Sequence, residues 1–597
     1  MTAIAPTGPR AQGVRWDLSR IVTDAAAAST LADETRAACD VFAERYRGRV
    51  ADLDAAGLAA ALNEIAEIDN AISRAGSYVG LRRSVDVNDE EARDLEAVIE
   101  QQYVQIANTL RFFELEWIAM DDDRAEELAS APEVAGDGHH LRSLRKYKPH
   151  KLSEDEERVW AERSPAAQMA WQNLFEQTVA NVKVPFDPGD GDGHRDHTID
   201  ELLANMYSTD RPLRMRTLEA LYGALEPLTP VLAHCYDSLV ADRLVDDRLR
   251  SFDGPMAQRN LSNELENAAV EAMLAAIESR HSIAHRWYRR KAELLGVPKL
   301  HLSDQYAPLD EGRAFSYDES RAIVRNAFAR FSGDIEVVSE AFFDDQRVDA
   351  EPRQGKRGGA FCASVSQDSQ AFIMLNYTDR LRDVMTMAHE LGHGMHFTLS
   401  AQRQSALSFH PGIALAEVPS TFAELVTFDY MMENEKDPAT RAALVRQELE
   451  SSFATVFRQT MMARYESDAY AARSEGRTLT PDRLCEMWLE RNRGQYGDAV
   501  ELPEGYRLGW SYIPHFINTR FYTYAYAFAH LASLVLYATW REQGDAFVPR
   551  YLDFLAQGGA ASPAEQLAAF GIDLTSEATW HRGLDEMERL LELALEG

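Results

Sequence analysis

Residues 384–396 read VMTMAHELGHGMH, and the rest of the chain is best read outward from them. His389, Glu390 and His393 form a His-Glu-x-x-His pattern. An α-helix turns about 100° per residue, so the two histidines stand one turn apart on a single face. Two imidazoles need that separation to share one tetrahedral zinc ion. Glu390 is offset by about 100°, close enough to accept a proton from a zinc-bound water. Val384, Met387, Ala388, Leu391 and Met395 cluster on the opposite side of the wheel. The stretch therefore predicts a helix that docks in a core and aims its histidines at a cleft. Composition alone yields about 0.04 such pentapeptides by chance in a chain of this kind, so the surroundings must carry part of the weight.

They do. Residues 410–425 read HPGIALAEVPSTFAEL and offer Glu417 and Glu424, seven positions apart and on one helix face with Thr421. A catalytic zinc takes three protein ligands and leaves its fourth position open. Two crossing helices can place one of these carboxylates on the metal and leave the other to orient a histidine. A merely solvated acidic face would not be embedded in Ile413, Leu415, Val418, Phe422 and Leu425. Upstream, PRQGKRGGAFCASVSQDSQAFIMLNYTDR (352–380) contains a short strand pattern at Ala360–Val365 and an antiparallel partner at Ala371–Tyr377.

Elsewhere the pattern is helical. Leu62, Ile65, Ile68 and Ile72 recur at helical spacing, and similar runs fill about residues 25–130, 154–184 and 197–295. FDPGDGDGHRDH (186–197) interrupts them with the residues of a loop or hairpin tip. A boundary near residue 200 is expected there, dividing an N-terminal helical domain (1–200) from a catalytic domain (201–597).

The 597 residues include 62 Lys+Arg and 96 Asp+Glu, a formal net charge of −34. Such a surface repels phosphate backbones and anionic headgroups, which argues against nucleic-acid or membrane-surface partners. Cys39, Cys235, Cys362 and Cys485 lie far apart, so neither a disulfide framework nor a four-thiolate zinc site is expected. A reducing, cytoplasmic setting follows as the expectation. Phe521–Trp540 carries no Asp, Glu, Lys or Arg, but His530, Ser533, two Thr and four Tyr make it a buried helix rather than a membrane span.

HELGHGMH followed by AEVPSTFAE resembles the thimet oligopeptidase-like zinc metallopeptidases, and in particular their oligoendopeptidase F branch. WDLSRIV (16–22), RKYKPHKLSEDEERVW (145–160), LVDDRLRSFDGPMA (244–257) and the segment from 359 to 393 agree with it. The resemblance implies a mainly α-helical fold with a small β-sheet beside the metal site and a deep channel that admits short peptides. It implies one zinc ion on His389, His393 and Glu417, with Glu390 as general base. Glu424 and His396 match positions near the metal that are second to the ligands or face substrate. The family also places a His and tyrosines where they stabilise the oxyanion, and IPHFINTRFYTYAYAF supplies His515, Tyr522, Tyr524 and Tyr526. In a helix Tyr522 and Tyr526 share a face and Tyr524 points away. Matching the aromatic clusters without a gap nevertheless favours Tyr524, with Tyr522 next.

The function so implied is zinc-dependent hydrolysis of internal bonds in short unstructured peptides. An exopeptidase on the same scaffold and an inactive peptide-binding zinc protein are the alternatives. The sequence leaves cleavage preference and oligomeric state open.

Overall fold

Aspartates start the first three long helices. Asp24, Asp54 and Asp89 accept the backbone N–H groups of Ala27, Gly57 and Ala92, satisfying donors that the first turn leaves unpaired. These caps begin α1 (Ala25–Tyr46), α2 (Ala55–Val85) and α3 (Glu90–Ala119). The three pack on one another through Ala28, Phe42, Leu58, Ile72, Ile106 and Trp117, all buried, and the same core takes in Val365 and Phe372. Helix-period apolar spacing in the sequence thus becomes a helical layer against which the small sheet is set.

This is a computed structural model, and it describes residues 11–191, 193–309 and 312–596. The chain divides into two units, each built from three segments. One contains the residues up to Lys148, Arg313–Lys436 and Leu536–Ile572. The other contains Pro149–Gly312, Asp437–Val535 and the residues from Asp573 on. The glycine-rich stretch behind the expected boundary near residue 200 is instead a hairpin within the second unit. Its strands Val184–Phe186 and Arg195–His197 pair antiparallel. Gly and Pro signal a local turn, whereas the division into units depends on which distant segments pack together.

In the first unit, α4 (Tyr317–Phe331) and α5 (Gly333–Asp344) lead into a three-stranded sheet. Its strands are β1 (Val348–Asp349), β2 (Phe361–Ala363) and β3 (Phe372–Met374). β3 is central, parallel to β1 and antiparallel to β2, with Cys362 opposite Ile373. The expected hairpin is therefore present with shorter strands, and β1 is an addition that two residues without alternation could not announce. Three further helices complete the surroundings of the site: α6 (Leu381–Arg403), α7 (Val418–Asn434) and α8 (Val548–Gln557).

The second unit is helical apart from short strand pairs. Most of the charge-free stretch falls in the helix Tyr524–Gln543, whose residues up to Val535 belong to this unit, with Phe528, Leu531, Leu534 and Val535 buried. His530 there meets the Ser452 hydroxyl at 2.8 Å. Among the described residues, no helix is long and apolar enough to cross a membrane. The fold is mainly α, with small sheets.

Candidate metal centre

The metal-site helix starts at a built cap. Asp383 Oδ2 accepts the backbone N–H of Thr378 and of Arg380 and the Thr378 hydroxyl, at 2.7, 3.0 and 2.9 Å. Met387, Ala388 and Leu391 are buried, as the wheel requires. Two glycines then let neighbours approach. A Cβ on Gly392 would meet the Cα of Ser420 at 2.5 Å and the carbonyl oxygen of Pro419 at 2.7 Å. A Cβ on Gly394 would meet the Phe342 ring at 2.4 Å. Only glycine allows α7 to cross α6 so closely, and this crossing brings the carboxylates of one helix to the histidines of the other.

Glu417 occupies the N-cap position of α7, just after the short helix Ile413–Ala416. Its Oε2 lies 3.3 Å from Nε2 of His389 and 3.3 Å from Nε2 of His393. Among the described residues, His389, His393 and Glu417 are the group arranged to hold one ion. The donor set fits zinc. Bonds of about 2.0–2.1 Å from a tetrahedral centre put neighbouring ligand atoms about 3.3 Å apart. Glu424, two turns along α7, accepts a hydrogen bond from Nδ1 of His389 at 2.7 Å. That bond leaves Nε2 as the lone-pair nitrogen, on the side of Glu417, where it could take an ion. Ser420, unremarked in the sequence, donates to Oε2 of Glu417 at 3.1 Å. Its signal was the i, i+3 spacing from Glu417.

The electrostatics follow from burial and pairing. Burial resists a charge on His389, but Glu417 and Glu424 outweigh it and hold the imidazole well above its ordinary value. Burial likewise resists the Glu417 charge, and the two imidazoles overrule it, keeping the carboxylate below the usual range. Glu390 is buried and is raised above the usual carboxylate range by that burial, with His389 and His393 pulling the other way. Nearby on β2, burial and then Glu390 keep the Cys362 thiol protonated.

His396, expected second to the ligands or facing substrate, is buried. It is 1% exposed, neither ring nitrogen has a partner, and it stacks with Phe397 and Phe554 at 6.3 Å. Burial lowers it to about 3, so it is a neutral core side chain rather than a substrate-facing one. Seven residues beyond His389 it lies on the same side of the helix, and Phe554 from α8 covers it there.

The other candidate residues belong to the second unit. His515, Tyr522 and Tyr526 are half-buried and form one aromatic cluster, with ring centroids 5.1–6.0 Å apart. Tyr524 is not part of it. Its ring is fully buried, and its hydroxyl donates to Asn260 at 2.6 Å and accepts from Asn263 at 2.8 Å. A hydroxyl so engaged has no donor left for an oxyanion, which corrects the preference for Tyr524. The turn between His515 and Tyr522 is held from three sides. Arg243 donates to the carbonyls of Phe516 and Ile517, Arg520 pairs with Asp247, and Glu466 accepts the Phe521 N–H at 3.0 Å. Phe521 itself sits at φ +52°, a conformation those bonds hold in place.

Comparison with known proteins identifies the family. The model of peptidase family M3 matches residues 204–586, and that described as Oligopeptidase F matches residues 116–183. The plasmid-encoded oligoendopeptidase F of Lactococcus lactis subsp. cremoris is 25% identical over 586 residues, covering 97% of each chain. Oligopeptidase PepF of Bacillus subtilis is 25% identical over 557 residues, 92% of this chain and 83% of its own. The crystal structure of oligoendopeptidase-F from Enterococcus faecium superposes with a TM-score of 0.72 at 21% identity, over 94% of this chain and 98% of that one. The M3 match runs through both helices that carry the three clustered ligand atoms and takes in well over half of the chain, which therefore belongs to peptidase family M3, in its oligoendopeptidase F branch, and is a metallopeptidase.

Proposed function

We propose that this chain is a zinc-dependent endopeptidase acting on short, unstructured peptides. The observation that carries this is the pair of 3.3 Å separations joining Glu417 to His389 and His393, with Glu390 next to one ligand in sequence. His389, His393 and Glu417 would hold the ion, which when bound polarises the scissile carbonyl and acidifies water. Glu390 takes the proton of the attacking water and delivers it to the leaving amine. Glu424 fixes the His389 tautomer. For the developing oxyanion the family resemblance points to a His and a Tyr, and the half-buried His515 and Tyr522 suit that role better than Tyr524.

β2 is at the edge of its sheet, with β3 on one side. Its outer edge offers backbone donors and acceptors to an extended peptide, a mode of binding that tolerates varied side chains. Relatives carry the names oligopeptidase and oligoendopeptidase, which supports small substrates. The four cysteines are free thiols, which suits a reducing compartment such as the cytoplasm.

The test is one peptide sequence supplied in two forms, free and embedded in a stably folded domain. We expect internal cleavage of the free form, as read by mass spectrometry, loss of that activity with phenanthroline and recovery on adding zinc. Comparable cleavage of both forms would remove the size selection. Activity that survives the chelator would remove the metal.

A further inference from the structure

Arg458 opens the helix Phe457–Ser474 in the second unit and is half-buried. Several hidden cations of this unit meet carboxylates: Arg214 meets Asp304 at 2.8 Å, Arg520 meets Asp247 at 2.6 Å, and Lys291 meets Glu450 at 2.6 Å, while the buried Arg243 spends its donors on the carbonyls of Phe516 and Ile517 and the Tyr470 hydroxyl. Arg458 meets no carboxylate among the described residues. Its hydrogen-bond partner is a neutral phenol, the Tyr306 hydroxyl, at 2.8 Å. Tyr512, Tyr506 and Tyr496 also lie around it. Two of these have their hydroxyls committed to neutral acceptors, Tyr506 to Asn492 at 2.8 Å and Tyr496 to Gln305 at 3.1 Å.

A guanidinium taken partly out of water without a counter-charge is costly, and the chain has acidic residues in excess with which to pair it. Leaving it with phenols keeps a planar fork of donors free for an anion that comes and goes. Tyr306 and Tyr512 keep partial solvent access, and Tyr306 packs at 5.5 Å against the exposed Tyr207, so the aromatic surround reaches the surface. The charge also reaches the proposed oxyanion group. His515 is held below its ordinary value by burial and then by Arg458.

We infer that Arg458, with the Tyr306 hydroxyl beside it, is a binding site for a carboxylate of the peptide substrate. This rests on the peptidase reading above. The carboxylate has two sources, the C-terminus of the peptide or an acidic side chain. A C-terminal source would count the cleavage site from the end of the peptide, whereas a side-chain source would give a sequence preference.

One peptide sequence in matched forms separates these: free C-terminal acid against amide, and, with the terminus amidated, a Glu against a Gln at each position in turn. For the zinc-loaded wild type we expect kcat/KM to favour the carboxylate member of one pair about 10–100-fold, mainly through KM. Arg458→Met should bring that ratio to about one, and Arg458→Lys should keep part of it because the charge remains. The acid–amide pair showing the effect assigns the C-terminus, and a Glu–Gln pair showing it assigns a side chain. A ratio near one for every pair in the wild type overturns the site, and needs no variant to fold. So does a ratio that Arg458→Met leaves intact. A zinc-loaded wild type that cleaves none of these peptides overturns the peptidase reading and this site with it.

Discussion

Nδ1 of His389 donates to Glu424 at 2.7 Å while Nε2 of the same ring lies 3.3 Å from Glu417. One imidazole thus joins Glu417, the N-cap of α7, and Glu424 within it, and each carboxylate has a different task. Glu417 would face a bound ion, and Glu424 would set which nitrogen is free to do so. His389→Ala, His393→Ala and Glu417→Ala should each lose bound zinc. Glu424→Ala should weaken zinc binding by about 10–100-fold. Metal content after dialysis against buffers of graded zinc activity measures both effects. A Glu424→Ala enzyme that is empty beside a loaded Glu417→Ala enzyme would exchange the two roles.

Glu390→Gln keeps the shape of the side chain and removes its basicity. The expected loss in kcat is about 10²–10⁴-fold with zinc content unchanged. Turnover near the wild-type rate in a zinc-loaded variant would show that another group takes the proton.

Tyr522 and Tyr524 separate catalysis from stability. Tyr522→Phe should lower kcat by about 10²-fold with zinc retained, the size expected for one oxyanion donor. Tyr524→Phe strips Asn260 and Asn263 of a shared buried partner and should cost about 1–3 kcal/mol of stability, with kcat of the folded enzyme little changed. Thermal unfolding beside steady-state kinetics distinguishes them. A fall in kcat for Tyr524→Phe and none for Tyr522→Phe would reverse the assignment.

Gly392→Ala tests the helix crossing. Alanine is the better helix former by about 1 kcal/mol, which alone would stabilise α6. Here the added methyl meets backbone atoms of Ser420 and Pro419, which cannot turn aside as a side chain can. Overpacking of about 1–3 kcal/mol should therefore outweigh the gain and lower the zinc affinity by shifting Glu417. An unfolding temperature and zinc affinity equal to wild type would mean that α7 moves freely.

The sequence by itself determined the mainly helical class, the acidic character, the His389–Glu390–His393 pattern and the two carboxylates downstream. Each is written in local spacing: turns of helix fix which side chains share a face, and the chain needs no distant partner to establish this. Tertiary structure decided what spacing cannot. His396 lies one turn beyond His393, yet the aromatic packing of Phe554 from α8 makes it core. Tyr524 matches the family's aromatic cluster in the chain, but Asn260 and Asn263, more than 250 residues away, take its hydroxyl. The two units are interleaved from three segments each, so no single stretch of composition marks their limits. Arg458 is one cation among many in the sequence, and only its placement among phenols shows that it lacks a carboxylate. Contacts between distant segments depend on the packing of the whole chain, and a helical wheel holds no information about what will face it.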